Sequence, residues 1–218
     1  YLNESESVLA LELRSGRMLW RTRTDDDQPE EDRRRSIAQR RWSMSDPRGV
    51  MVAGDRVIAV TGQSATGPTR WRQRPGETQL ICFDRDSGAE RWSRSPDELD
   101  PSLDKAFFQG TPVLDGQRMY VLLRRSQMSG FHDAFIVALR VSDGSLIWRR
   151  HLSSAVVGNR YAMRPQARML VQRGMVYTVD NLGAITCIEG GTGLVRWTRL
   201  LEEPQQAISR VRRPVTQS

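Results

Sequence analysis

One short pattern recurs four times in this chain, and it restricts the possible folds more than any other feature. The copies are Val8–Trp20 (VLALELRSGRMLW), Leu80–Trp92 (LICFDRDSGAERW), Ile136–Trp148 (IVALRVSDGSLIW) and Ile185–Trp197 (ITCIEGGTGLVRW). Each ends in tryptophan. Glycine stands four residues before it (Gly16, Gly88, Gly144, Gly193), and a small residue stands ten before it (Ala10, Cys82, Ala138, Cys187). The residues ahead of each glycine alternate or run apolar, as a half-buried or buried strand does. Ser15-Gly16, Ser87-Gly88, Asp143-Gly144 and Thr192-Gly193 then mark tight turns, with glycine supplying positive φ and the polar neighbour bonding the turn backbone. Each copy therefore predicts a β-hairpin with a small residue near its start and an indole near its end. An indole at one fixed slot predicts mortar between repeats, with the small residue making room for it from the same unit or from a neighbour.

A second pattern precedes the hairpin. Val52–Val60 (VAGDRVIAV), Val113–Leu122 (VLDGQRMYVL) and Val171–Val179 (VQRGMVYTV) each give an apolar start, a glycine turn and a strand. Together the two patterns make about four strands per unit. Trp20, Trp92, Trp148 and Trp197 are spaced by 72, 56 and 49 residues. The shortest spacing approaches the roughly 40–50 residues of a four-stranded propeller blade, and the longer ones predict inserted loops.

The runs Cys82-Phe83-Asp84…Ser87-Gly88…Trp92 and Ala10-Leu11-Glu12…Ser15-Gly16…Trp20 resemble the tryptophan-docking repeat of quinoprotein-type (PQQ-like) β-propellers. Two copies depart from it: Arg140 replaces the usual acid, and Glu189 is followed by two glycines. The resemblance implies an all-β fold, a β-propeller of four-stranded antiparallel blades, here a partial segment of a seven- or eight-bladed ring. It divides the chain into a half blade (1–23), a charged insert (24–48), blades at about 49–95, 96–151 and 152–201, and the start of another at 202–218. That last start is expected at Arg213-Pro214-Val215-Thr216, because Pro214 follows Trp197 by the same 17 residues that separate Pro165 from Trp148. Gly16, Trp20, Gly88, Trp92, Gly144, Trp148, Gly193 and Trp197 then carry architecture rather than chemistry.

For function the resemblance implies a binding or scaffold module, as in the propeller that scaffolds outer-membrane barrel assembly and in sensor propellers. The expected partners are a protein and the remaining blades of a full-length chain, with no cofactor. The expected place is periplasmic, cell-surface or extracellular. The alternative is a fragment of a quinoprotein dehydrogenase, which holds pyrroloquinoline quinone with calcium beside adjacent cysteines. This chain has no adjacent cysteines and no CxxCH. A propeller hydrolase is the weakest class, because no G-x-S-x-G elbow is present.

The net charge is +7, and Lys105 is the sole lysine among 33 basic residues. The arginines are spread through every repeat rather than gathered in an aromatic-laced stripe, which argues against nucleic acid. No apolar run is long enough to span a membrane. Cys82 and Cys187 hold the same small slot in blades two apart, so no disulfide is expected between them. The insert runs from Asp25-Asp26-Asp27 to Arg33-Arg34-Arg35 without an EF-hand pattern and reads as a solvated loop. Trp42 ends it outside the repeat. Arg70-Trp71-Arg72, in a loop over 63–78, is the most binding-like tripeptide: an indole between two cations can stack on a ring or take an anion. Trp42, Arg70, Trp71 and Arg72 are the candidate partner-binding residues. His132, in a loop over 124–133, and His151 lack any metal-ligand spacing and read as structural or surface residues. A short helical turn is expected within 97–105, and Phe107 and Phe108 are expected in the core.

Overall fold

Alternating apolar residues, glycine turns and β-branched runs fold into antiparallel sheets that follow one another along the chain. The computed structural model describes residues 1–3, 7–22, 49–62, 78–127, 131–156 and 167–201. The first sheet holds β1 (Leu2–Asn3), β2 (Val8–Leu11) and β3 (Met18–Arg21), in that order. The second holds β4 (Val50–Ala53), β5 (Arg56–Gly62), β6 (Thr78–Asp84) and β7 (Glu90–Arg94). The third holds β8 (Ala106–Asp115), β9 (Arg118–Ser126), β10 (Phe131–Arg140) and β11 (Leu146–Val156). The fourth holds β12 (Arg168–Gln172), β13 (Met175–Val179), β14 (Ala184–Glu189) and β15 (Val195–Leu200). Each strand pairs with its sequence neighbour, so every sheet is an up-and-down meander. This is a β-propeller segment of four-stranded antiparallel blades.

Several details differ from the sequence reading. The first sheet carries a third strand, β1, ahead of the hairpin. Residues 124–126 and 131–133 belong to β9 and β10 rather than to a loop, and β11 runs on to Val156. Sheet three is longer than its neighbours, and Phe107, Phe108 and Phe135 are buried in it. The helical turn forms as α1 (Pro96–Leu99) followed by a 3₁₀ turn at Pro101–Leu103. Pro96 and Pro101 each sit at the first helical position, where a missing N–H costs nothing. Ser95 and Glu98 close a capping box on α1, with Ser95 N–H donating to the Glu98 carboxylate at 2.8 Å.

The cores lie between sheets. Met51, Ile58, Val60, Leu80, Cys82 and Trp92 of the second sheet pack on Phe108, Met119, Val121, Leu123, Val137 and Leu139 of the third. Tyr120, Leu122, Ile136, Ala138 and Trp148 of the third pack on Ala167, Val176 and Ile188 at the fourth. Val8 of the first meets Val57, Ala59 and Phe83 of the second.

One polar knot pins the extended end of the third blade. Asp133 is buried and accepts from Arg125 Nη2 at 2.8 Å, Gln127 Nε2 at 2.9 Å and Ser154 Oγ at 2.7 Å. Burial pushes its pKa up, but hydrogen bonds from Ser154, Gln127 and Arg125 outweigh this and hold it at about 2. Its folded pKa is below the unfolded value near ~3.9, so its contribution to stability is complete above about pH 4 and disappears as pH falls through the folded value. Asp133→Asn is expected to flatten the acid limb of a pH–stability curve between about pH 4 and pH 2. Urea melts at stepped pH values measure this, and an unaltered acid limb would contradict it. The two histidines have structural partners: His132 Nδ1 lies 2.8 Å from Ser126 Oγ, and His151 Nε2 lies 2.8 Å from Ser154 Oγ.

Candidate functional site

The structure joins the repeat residues into one device, used three times among the described residues. Within each hairpin the small residue stands directly across from the tryptophan: Ala10 from Trp20, Cys82 from Trp92, Ala138 from Trp148 and Cys187 from Trp197. The small residue thus makes room inside its own unit. The register slips immediately before each tryptophan, leaving Leu19, Arg91, Ile147 and Arg196 unmatched. Such a bulge re-aims the following side chain.

The glycine comes from the next blade. Trp20 lies on the Gly88 turn, Trp92 on the Gly144 turn and Trp148 on the Gly193 turn. A Cβ built on those glycines would fall 2.7, 2.9 and 2.7 Å from the indole carbons. All three glycines have φ near +70° (72°, 70° and 72°), which L side chains rarely adopt. Each indole N–H then donates to the carbonyl three residues before that glycine. Trp20 Nε1 reaches Arg85 O at 2.9 Å, Trp92 Nε1 reaches Val141 O at 3.3 Å, and Trp148 Nε1 reaches Gly190 O at 2.9 Å. The polar tip of each indole is therefore satisfied across the seam, in buried surroundings for Trp92 and Trp148.

An arginine two residues past the tryptophan forms a second clasp, which the sequence reading overlooked. Arg94 Nη2 donates to Asp143 O at 2.7 Å, and Arg150 Nε donates to Gly193 O at 2.7 Å. The signal was present as Trp-Ser-Arg, Trp-Arg-Arg and Trp-Thr-Arg, hidden in a chain rich in arginine. Arg150→Met is expected to destabilise the chain by about 1–2 kcal/mol, the scale of a charge-assisted hydrogen bond that is partly open to water. Chemical denaturation measures it, and a loss below a few tenths would remove the clasp.

The acid eight residues before each tryptophan shapes the turn. Asp84 Oδ1 accepts from Ser87 N at 2.9 Å and Ser87 Oγ at 2.8 Å, while Oδ2 pairs with Arg91. Hydrogen bonding from Arg91 and then Ser87 holds its carboxyl well below the usual carboxylate range. Glu189 pairs with Arg196 at 2.9 Å. The third copy exchanges the charges: Arg140 sits in the acid's slot, and Asp143 in the turn accepts from Ser145 N at 2.9 Å and pairs with Arg140 at 3.5 Å. Arg140 therefore departs from the motif without losing the ion pair. The Gly190-Gly191-Thr192-Gly193 run is this same turn, with Gly193 N–H donating to Glu189 O at 2.8 Å.

Cys82 and Cys187 are free and buried, each beneath its own blade's tryptophan, and burial pushes the Cys82 thiol up to about 11. Among the described residues, no group of three His, Cys, Asp or Glu is placed to hold a metal ion. The candidate partner residues Trp42, Arg70, Trp71 and Arg72 lie outside the described residues, as does the start of a blade expected at 213–216. No helix among the described residues is long and apolar enough to cross a membrane.

A blade-to-blade indole joint between consecutive antiparallel sheets defines the class, a tryptophan-docked propeller. The family model described as "Outer membrane protein assembly factor BamB" matches residues 4–134 and 76–218, and the chain belongs to that family. The crystal structure of BamB from Moraxella catarrhalis is similar at 17% identity and a TM-score of 0.53, over 91% of this chain and 48% of that one. Quinohemoprotein alcohol dehydrogenase from Comamonas testosteroni is similar at 15% identity and a TM-score of 0.58, over 90% of this chain and 32% of that one. A europium-containing methanol dehydrogenase is similar at 14% identity and a TM-score of 0.57, over 89% of this chain and 38% of that one. The chain thus spans half or less of the length of these structures. No curated protein matches it.

Proposed function

We propose that this chain is part of a non-enzymatic scaffold, a rigid propeller that presents its inserted loops to a protein partner outside the cytoplasm. The family match over residues 4–134 and 76–218 carries this reading, because the family's description is of assembly rather than of a reaction. The joints support it physically. Three indoles, their carbonyl acceptors and two arginines lock consecutive blades together, and a locked framework is what variable binding loops need. The Arg70-Trp71-Arg72 loop and Trp42 are the proposed contact residues: an indole flanked by guanidinium groups suits an interface anchor. No cofactor belongs to this reading.

The second reading, part of a quinoprotein dehydrogenase, draws support from the dehydrogenase structures that share the fold. One experiment separates the two. A photocrosslinking side chain at position 71 is expected to give discrete protein adducts in envelope fractions, and Arg70→Glu with Arg72→Glu is expected to weaken them. Absence of adducts, with alcohol-dependent dye reduction after addition of pyrroloquinoline quinone and calcium, would favour the dehydrogenase.

A further inference from the structure

Two opposite charges face one cleft between the second and third blades without pairing, over an apolar floor. The cleft lies where β7, α1 and the Gly144 turn meet, and it is lined by Arg94, Glu98, Leu99, Ser145 and Leu146. Its volume of about 430 Å³ falls within the roughly 300–1,000 Å³ of small-molecule sites. Leu99 and Leu146 are half-buried and pack on the core that surrounds Trp92, so the floor belongs to the seam itself.

Backbone groups hold the two charges in place. Arg94 Nη1 donates to Ser93 O and Nη2 to Asp143 O, each at 2.7 Å. Glu98 stands third in α1, where the capping box fixes one carboxylate oxygen on Ser95 N–H at 2.8 Å. Neither side chain takes part in an ion pair among the described residues. The guanidinium keeps further N–H donors, in a geometry that suits a carboxylate, and the second oxygen of Glu98 can accept from an ammonium. Ser145 Oγ accepts from Arg140 at 3.2 Å, which leaves its own proton to donate. A dianion is repelled by Glu98 and a dication by Arg94, so the pair selects a molecule that carries one charge of each sign.

We propose that this cleft binds a free α-amino acid with an aliphatic side chain. Its carboxylate meets Arg94 and Ser145, its ammonium meets Glu98, and its side chain rests on Leu99 and Leu146. The ligand touches β7 and α1 on one side and the third blade on the other. It therefore bridges the seam that Trp92 already spans, and by binding only the folded chain it stabilises that seam. The site makes no use of the loop at 70–72 and is independent of the scaffold reading.

The test is a titration of the protein with L-leucine, read by saturation-transfer NMR on the ligand. The expected Kd is about 1 mM, the scale for so few atoms in an open cleft. Leucinamide lacks the carboxylate, N-acetyl-leucine lacks the ammonium and glycine lacks the side chain, and each is expected to bind about tenfold or more weakly. Glu98→Gln keeps the fold, because glutamine also serves at the third position of a capping box. It is expected to weaken leucine by about tenfold while leaving N-acetyl-leucine unchanged. Asp97→Asn, on the same helical turn but outside the cleft, is expected to bind leucine as the parent does. No saturation transfer at about ten times the expected Kd would overturn the proposal. So would a leucine affinity that Glu98→Gln leaves unchanged. N-acetyl-leucinamide binding as tightly as leucine would overturn it too, and would assign the cleft to a peptide segment of a partner.

Discussion

Replacing Trp148 with alanine is expected to cost about 3–5 kcal/mol, the range for truncating a buried aromatic. The indole is 8% exposed, lies 5.7 Å centroid to centroid from Tyr120, and donates to Gly190 O at 2.9 Å. Its removal opens a cavity between the third and fourth blades and strands that carbonyl acceptor. Neighbouring Ile147, on the same strand but 39% exposed, is the control, and Ile147→Ala is expected to cost under about 1 kcal/mol. Urea denaturation of both variants makes the comparison. Equal losses would show that burial at the seam does not dominate.

The second large effect lies on the other side of the same joint. Gly193→Ala places a methyl group where the Trp148 ring already sits, 2.7 Å from Cδ2, and does so at φ +72°. The left-handed backbone alone costs roughly 1–2 kcal/mol, and overpacking adds about 1–3. The expected total is about 2–5 kcal/mol. Gly174 isolates the backbone part, since its φ is +73° and nothing lies within 4 Å of its built Cβ. Gly174→Ala should therefore cost only the roughly 1–2 kcal/mol of the backbone. If the two glycine variants lose equal stability, the indole is not pressed against the Gly193 turn.

These two sites show which parts of the molecule could be read from sequence. The hairpins were legible because their causes are local: Gly88 and Gly144 must turn the chain, and the short apolar runs Leu80–Phe83 and Ile136–Leu139 ahead of those turns have a strand's length. The docking role of Trp92 and Trp148 was legible as packing but not in direction. A seam joining residues 49 apart, as Trp92 and Val141 are, leaves no local periodicity to reveal its partner. Ala138 and Cys82 show the same division: the slot was plain, but only the register with Trp148 and Trp92 places the vacated space within the hairpin. Arg94 and Arg150 were hidden by abundance, since an arginine in this chain carries little information by its type alone. Arg140 looked like a defect until Asp143 supplied the missing charge three residues on. The long third sheet was misread because Arg124, Arg125 and His132 appear loop-like in sequence, while the ion pair of Arg125 with buried Asp133 lets the strands continue.

The inter-blade joint requires each docked indole to be energetically coupled to the next blade's glycine turn. A double-mutant cycle between Trp148→Ala and Gly193→Ala tests it most directly. With the indole present, the added methyl clashes; with the indole gone, it enters the cavity. The predicted result is that Gly193→Ala costs only its backbone share, about 1–2 kcal/mol, in the Trp148→Ala background, which gives a coupling of about 1–3 kcal/mol. Additive losses, with coupling near zero, would contradict the inter-blade joint on which the account rests.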